Sequence, residues 1–290
     1  PAYGYALGCH AFTLEETGDY ERAEIIGRQG VLQTPDDAWG LHAVAHVYDM
    51  TNNTTAGIDW LKTRTSAWQH CNNFRYHVWW HLALMHLDRG EIDAVFELYD
   101  TAIRGEKTDD YRDISNGASL LSRLELEGID VGNRWDELAN LSEGRTDDGC
   151  LAFADLHYLL SLIGGQRRQA TSHLLARMRK DAATEKSEMD IIMRHPGLSA
   201  AEGLEAFGEG NYSLAFSHLA GARDMMPTIG GSHAQRDIFE RLTIEAALRG
   251  GFFDAAERFL NARTARRAGR IDRFSSVRLN ELRLQRNNLS

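Results

Sequence analysis

GNYSLAFSHLAGARDMMP, residues Gly210 to Pro227, sets the reading of the whole chain. It opens with a turn, Gly–Asn–Tyr, continues as an apolar stretch with Ala215 and Ala222 at helical spacing, and stops at a proline. A glycine tolerates the left-handed backbone that ends a helix, small alanines let two helices approach, and proline cannot continue one. The same order of features recurs in GDYERAEIIGRQGVLQTP (Gly18–Pro35), GEIDAVFELYDTA (Gly90–Ala102) and GGFFDAAERFLNA (Gly250–Ala262). Only four prolines occur in 290 residues, so little interrupts helices, and β-branched alternation never persists for more than a few residues.

This pattern matches the tetratricopeptide repeat, a helix–turn–helix unit of about 34 residues. Phased on the turn residues, seven hairpins follow: 3–35, 36–68 (with a glycine-free turn at 51–54), 73–104, 113–141, 147–180, 196–227 and 231–263. A last helix over 272–285 fits the solvated cap that a solenoid needs at its end. The expected architecture is therefore all-α, a right-handed α-solenoid of about seven such hairpins plus a C-terminal capping helix. It is read as a single domain over residues 1–290, with a weak linker at 181–195. Pro1 starts a helix without a polar cap, which suggests that an initiator Met was removed or that the chain is the C-terminal part of a longer protein.

Several stretches resemble the tetratricopeptide repeat protein 38 family of bacterial and animal proteins: FTLEETGDYERAE (Phe12–Glu24), WGLHAVAHVYDM (Trp39–Met50), HVWWHLALMHLDRGE (His77–Glu91), SLLSRLELEGIDVGNRW (Ser119–Trp135) and GGSHAQRDIFERL (Gly230–Leu242). The resemblance implies the repeat fold over most of the chain. It also implies an upstream continuation, because members of that family extend beyond the point matching Pro1. It lends no activity.

Composition narrows the function. A net charge of −10 and 26% charged residues argue against nucleic-acid backbone binding, and the basic run Arg263–Arg286 reads as a solvated helix face. Cys9, Cys71 and Cys150 are too few and too scattered for a disulfide framework or a paired-cysteine zinc site, which favours a reducing, cytoplasmic setting. No apolar run reaches bilayer length and no leader pattern opens the chain, so a membrane partner is not expected. Phosphate loops, nucleophile elbows and dinucleotide fingerprints are absent.

Chemistry concentrates between residues 42 and 86, which hold six of the twelve histidines. His42 and His46 are four apart, as are His77 and His81, and helical residues at that spacing share a face. In proteins similar to the repeat consensus, the first helix of each hairpin lines the concave surface. That phase places Glu15, Glu16, His42, His46, Asp49, His77, Trp80 and His81 in the groove, with Asp88 at its rim. Tyr158 (beside Asp155), Asp237 and Glu240 follow from later hairpins. His233, Arg236 and Asp237 lie at a helix start after two glycines, where backbone N–H groups suit an anion and Ser232 suits a cap.

Three readings of the histidines compete. Imidazoles at i and i+4 share a metal, so His42, His46, His77 and His81 are candidate ligands of a divalent ion, with Glu15, Glu16 or Asp49 completing the shell. Alternatively the rings bind a ligand or move protons, with Trp80 and Tyr158 as flat faces. In the third reading they are satisfied polar core groups, as His86 is expected to be. The expected function is a repeat-type protein holding a small molecule or short peptide in this His–acidic–aromatic groove. The alternatives are a metal-dependent or His acid–base enzyme of hydrolase or lyase type, and an assembly scaffold; a homo-oligomer fits each. Trp39, Trp60, Trp68 and Trp135 are expected in the core, Arg123 in a buried ion pair, and Cys71 is reactive only if a charged His stands beside it.

Overall fold

Each predicted hairpin corresponds to a consecutive pair of helices in the computed structural model, which describes residues 2–184 and 186–289. The first three pairs are α1 (Ala2–Glu16) with α2 (Tyr20–Gln33), α3 (Ala38–Met50) with α4 (Thr54–Lys62), and α5 (Phe74–Asp88) with α6 (Ile92–Leu98). Next come α7 (Tyr111–Leu126) with α8 (Arg134–Glu143) and α9 (Ala152–Gly164) with α10 (Arg168–Ala182). A short α11 (Glu188–Ile192) precedes α12 (Leu198–Gly208) with α13 (Tyr212–Ala222) and α14 (His233–Arg249) with α15 (Phe253–Arg266), and α16 (Arg273–Leu289) ends the chain. Among the described residues there is no strand, and no helix is long and apolar enough to cross a membrane. The chain is all-helical in paired helices, an arrangement compatible with an α-solenoid. Pro1, read above as a boundary, lies outside the described residues.

The turn chemistry explains why the phase was readable. Gly90 and Gly210 take φ of +73° and +76°, a region that L side chains rarely adopt. Where the second hairpin lacks a glycine, Asn52 does the same work at φ +54°. The fifth hairpin differs: Gln166, not a glycine, carries the positive φ there. Gly164 is instead a packing residue, since a Cβ on it would lie 2.4 Å from the Trp135 ring.

The helices gather in two compact units, residues 1–106 with 259–290, and residues 107–258. Residues 186–195, within the stretch expected to be a linker, belong to the second unit, where Ser187 and Asp190 form a capping box at the start of α11. In the first unit, Leu41, Val44, Trp60, Leu61, Trp68, Val78, Leu82 and Met85 form one buried cluster between α3, α4 and α5. The final helix is not merely a solvated cap. It buries Phe274, Ser275, Arg278 and Leu282 along one face, and the Arg273 backbone N–H donates to Asp88 at 2.9 Å. Just before it, Arg267 reaches the Asp49 carboxylate at 3.2 Å, and Arg263 pairs with Asp272 at 2.6 Å.

Candidate functional site: a four-histidine cluster

Glycines bring the helices of the site together. A Cβ on Gly8 of α1 would lie 2.8 Å from the Gly40 Cα of α3, and one on Gly40 would lie 3.1 Å from the Gly8 Cα. Nothing larger than glycine allows that approach. Two turns further along, the crossing sets Glu15 against His46. On the other side of α3, α5 presents His77 and His81.

The four Nε2 atoms converge. His46 Nε2 is 3.0 Å from His42 Nε2, which is 3.1 Å from His81 Nε2, which is 3.1 Å from His77 Nε2. All four lie within 4.8 Å of one another. His42, His46 and His81 are buried and His77 is half-buried. Aromatic rings surround them: Phe12 against His46 at 5.4 Å, Trp39 and Phe74 against His42 at 5.2 and 5.1 Å, and Trp80 stacked on His77 at 5.3 Å.

Such an arrangement is not an ordinary hydrogen-bonded core. A neutral ring nitrogen is either a donor or an acceptor along one in-plane direction. Yet His42 Nε2 has a neighbouring ring nitrogen at hydrogen-bond distance on each of two sides, and so does His81 Nε2. Burial, followed by the charges of His46 and His77, holds His42 well below the usual histidine range. Burial also pulls His46 down, but the carboxylates of Glu15, Glu16 and Asp49 together outweigh it and leave His46 raised. The cluster thus holds at least one ring in the unprotonated form that coordinates metals.

Glu15 is fully buried, with Oε2 3.4 Å from His46 Nδ1, and neither carboxylate oxygen accepts a hydrogen bond. Glu15, Glu16 and His46 each offer an atom within 4.8 Å of the others. Asp49 is held by Arg267, through its carboxylate and its backbone carbonyl. Trp80 is fully buried behind His77.

The remaining predicted site residues belong to the second unit. Tyr158 is buried, with its hydroxyl 3.4 Å from Asp148, and Asp155 pairs with Arg177 at 2.5 Å. Ser232 caps α14 in a capping box with Gln235. Arg236 donates to the Gly230 and Gly231 carbonyls, Asp237 pairs with Arg241 at 2.7 Å, and His233 is half-buried at the first turn. Glu240 is held by Arg223. Arg123 is buried as expected, donating to the Ala234 carbonyl at 2.7 Å and to Ser119. His86 is likewise buried, bound to Glu91 at 2.5 Å.

One tryptophan expectation needs correction. Trp39, assigned to the core, is 40% exposed and stands over His42. Cys71 lies 4.0 Å from His70 but is not activated, because burial pushes its thiol up. Phe12 and Phe74 went unnoticed in the sequence, although Phe12 stands one turn before Glu15 and Glu16 on α1 and Phe74 one turn before His77 on α5. A scan against protein-family models matches none of them to this chain.

Proposed function

We propose that the chain is a metal-dependent protein in which His42, His46, His77 and His81 hold one divalent first-row ion through Nε2. The observation that carries this reading is the convergence of four ring nitrogens at successive separations of 3.0, 3.1 and 3.1 Å. With metal–nitrogen bonds of 2.0–2.1 Å, donors at right angles are about 2.8–3.0 Å apart, and tetrahedral donors about 3.3–3.4 Å. The observed separations fall within that span. Imidazole donors suit zinc, copper, iron and nickel.

An ion held there would polarise a bound carbonyl or lower the pKa of a bound water. Hydrolytic or lyase-type action on a small molecule or short peptide is the activity that fits. The approach is over Trp39, Phe74 and half-buried His77, since the other three rings are sealed. The seven helix pairs and the stretches around residues 12–24, 39–50, 77–91, 119–135 and 230–242 support the finer reading of the fold, a right-handed tetratricopeptide-like solenoid related to the tetratricopeptide repeat protein 38 family. In that fold the first helices of hairpins two and three supply the ligands.

Cobalt(II) titration of metal-stripped protein tests the centre. The wild type is expected to develop visible d–d bands at one equivalent, and His81→Gln to weaken that binding by at least about a hundredfold. Identical spectra and affinities for the two proteins would refute it.

A further inference from the structure

We infer that Glu15, Glu16 and the far nitrogen of His46 form a second cation site, and that the His46 ring bridges it to the four-histidine ion. The inference rests on the metal centre proposed above and adds a partner to it.

His46 uses only Nε2 toward the other three histidines; its Nδ1 faces the opposite way, toward Glu15. An imidazole N–H bonded to a carboxylate closes to 2.7–3.2 Å along the N–H direction. Here the separation is 3.4 Å, and neither Nδ1 nor either Glu15 oxygen makes a hydrogen bond, although all three atoms are buried. A buried carboxylate without a hydrogen bond is costly, and a second carboxylate beside it makes the pair a stronger ligand for a cation. Glu16 supplies that second carboxylate, within 4.8 Å of the other two donors. Two carboxylates and one imidazole nitrogen are a mixed O/N donor set suited to zinc, manganese or iron in the divalent state.

The ring's two nitrogens lie on opposite edges, so ions bound to both stand about 6 Å apart, given bonds of 2.0–2.1 Å on each side. Binding the second ion displaces the remaining His46 N–H proton to solvent and leaves a bridging imidazolate. Glu16 is half-buried while Glu15 is sealed, so the second ion's open positions face outward past Glu16. The two carboxylates and the imidazolate together offset most of the charge of the two divalent ions.

The test is metal stoichiometry on the full chain, stripped and then reloaded with zinc(II), measured by elemental analysis after desalting. A copper(II)-loaded sample is followed by electron paramagnetic resonance. The wild type is expected to hold two zinc ions, and Glu15→Gln and Glu16→Gln one each. In the dicopper form the integrated signal should fall well below two spins through coupling across His46, and Glu16→Gln should restore a one-spin signal. Circular dichroism checks that both variants fold, and Glu16→Gln, at a half-exposed position, serves if Glu15→Gln does not. A single zinc ion in the wild type and in both variants would overturn the second site while leaving the four-histidine centre standing. Two ions with two uncoupled copper spins would overturn the bridge. No retained ion at all would overturn the underlying reading as well.

Discussion

His42 sits at the middle of the problem that the cluster poses. Its Nε2 faces two other ring nitrogens at 3.0 and 3.1 Å, and its Nδ1 is buried without a hydrogen bond. One neutral imidazole has one proton to share, so a metal-free site leaves polar atoms unsatisfied in a dry interior, at about 1–3 kcal/mol each. An ion that takes all four Nε2 lone pairs removes the conflict among those four nitrogens, and ligand binding to the folded state adds about 4 kcal/mol at a thousandfold excess over Kd. Removing divalent ions with a chelator should therefore lower the thermal midpoint by several degrees, and excess zinc should restore it. His81→Gln should show neither response. An unchanged wild-type midpoint, read by differential scanning calorimetry, would count against a resident ion. The clustering of the four histidines was visible in the sequence because the i, i+4 spacing on two neighbouring helices needs no tertiary knowledge. Trp39 was misplaced for the converse reason: a tryptophan at a helix start looks the same whether it fills a core or stands over a site.

At the scale of helices, the α1–α3 crossing decides whether Glu15 meets His46. Gly40→Ala puts a methyl 3.1 Å from the Gly8 Cα and 2.5 Å from the Asp37 carboxylate, so α1 must shift. Overpacking of this kind costs about 1–3 kcal/mol. The variant should unfold at lower urea and bind the first cobalt equivalent more weakly; retention of both wild-type values would show that the crossing does not position the site.

Helix α9 allows a sharper test of buried charge. Burial raises Asp155 from 3.8 to about 6, opposed by Arg177. Burial also lowers His157 from 6.5 to about 4, against the Phe153 carbonyl that its Nδ1 meets at 2.7 Å. A raised acid contributes stability below pH 4 that is lost as pH rises through 6. A lowered base contributes stability above pH 6.5 that is lost as pH falls toward 4. Each shift is worth on the order of 3 kcal/mol, and the two slopes oppose each other. Urea midpoints of the wild type should stay nearly flat between pH 4 and 6.5. Asp155→Asn should lose stability as pH falls across that window, and His157→Gln as pH rises. Parallel profiles for all three proteins would contradict this account of α9. Its groove face could not be read from sequence because α9 is buried from Ala152 to Leu162, so no polar stripe marks a phase. Tyr158 and Asp155 therefore looked like groove residues, yet each is tied up inside its own unit.

Across the molecule, the hairpin count was legible because every hairpin turns at a residue with positive φ. The division into units was not, because the first unit is completed by residues 259–290. No local pattern announces that Arg267 will find Asp49, or that the Arg273 backbone will find Asp88. A chain ending at Arg258 should consequently lose hydrogen-exchange protection in residues 1–106 and keep it in residues 107–258. Equal protection in both segments would show that the C-terminal stretch is dispensable to the first unit.

X-ray absorption at the zinc edge reports directly on what surrounds an ion bound at the four histidines. Full-length protein loaded with one equivalent of zinc should give a first shell of nitrogen at about 2.0–2.1 Å, with the outer-shell multiple scattering of four imidazoles. A first shell of oxygen or sulfur without imidazole scattering would contradict the account.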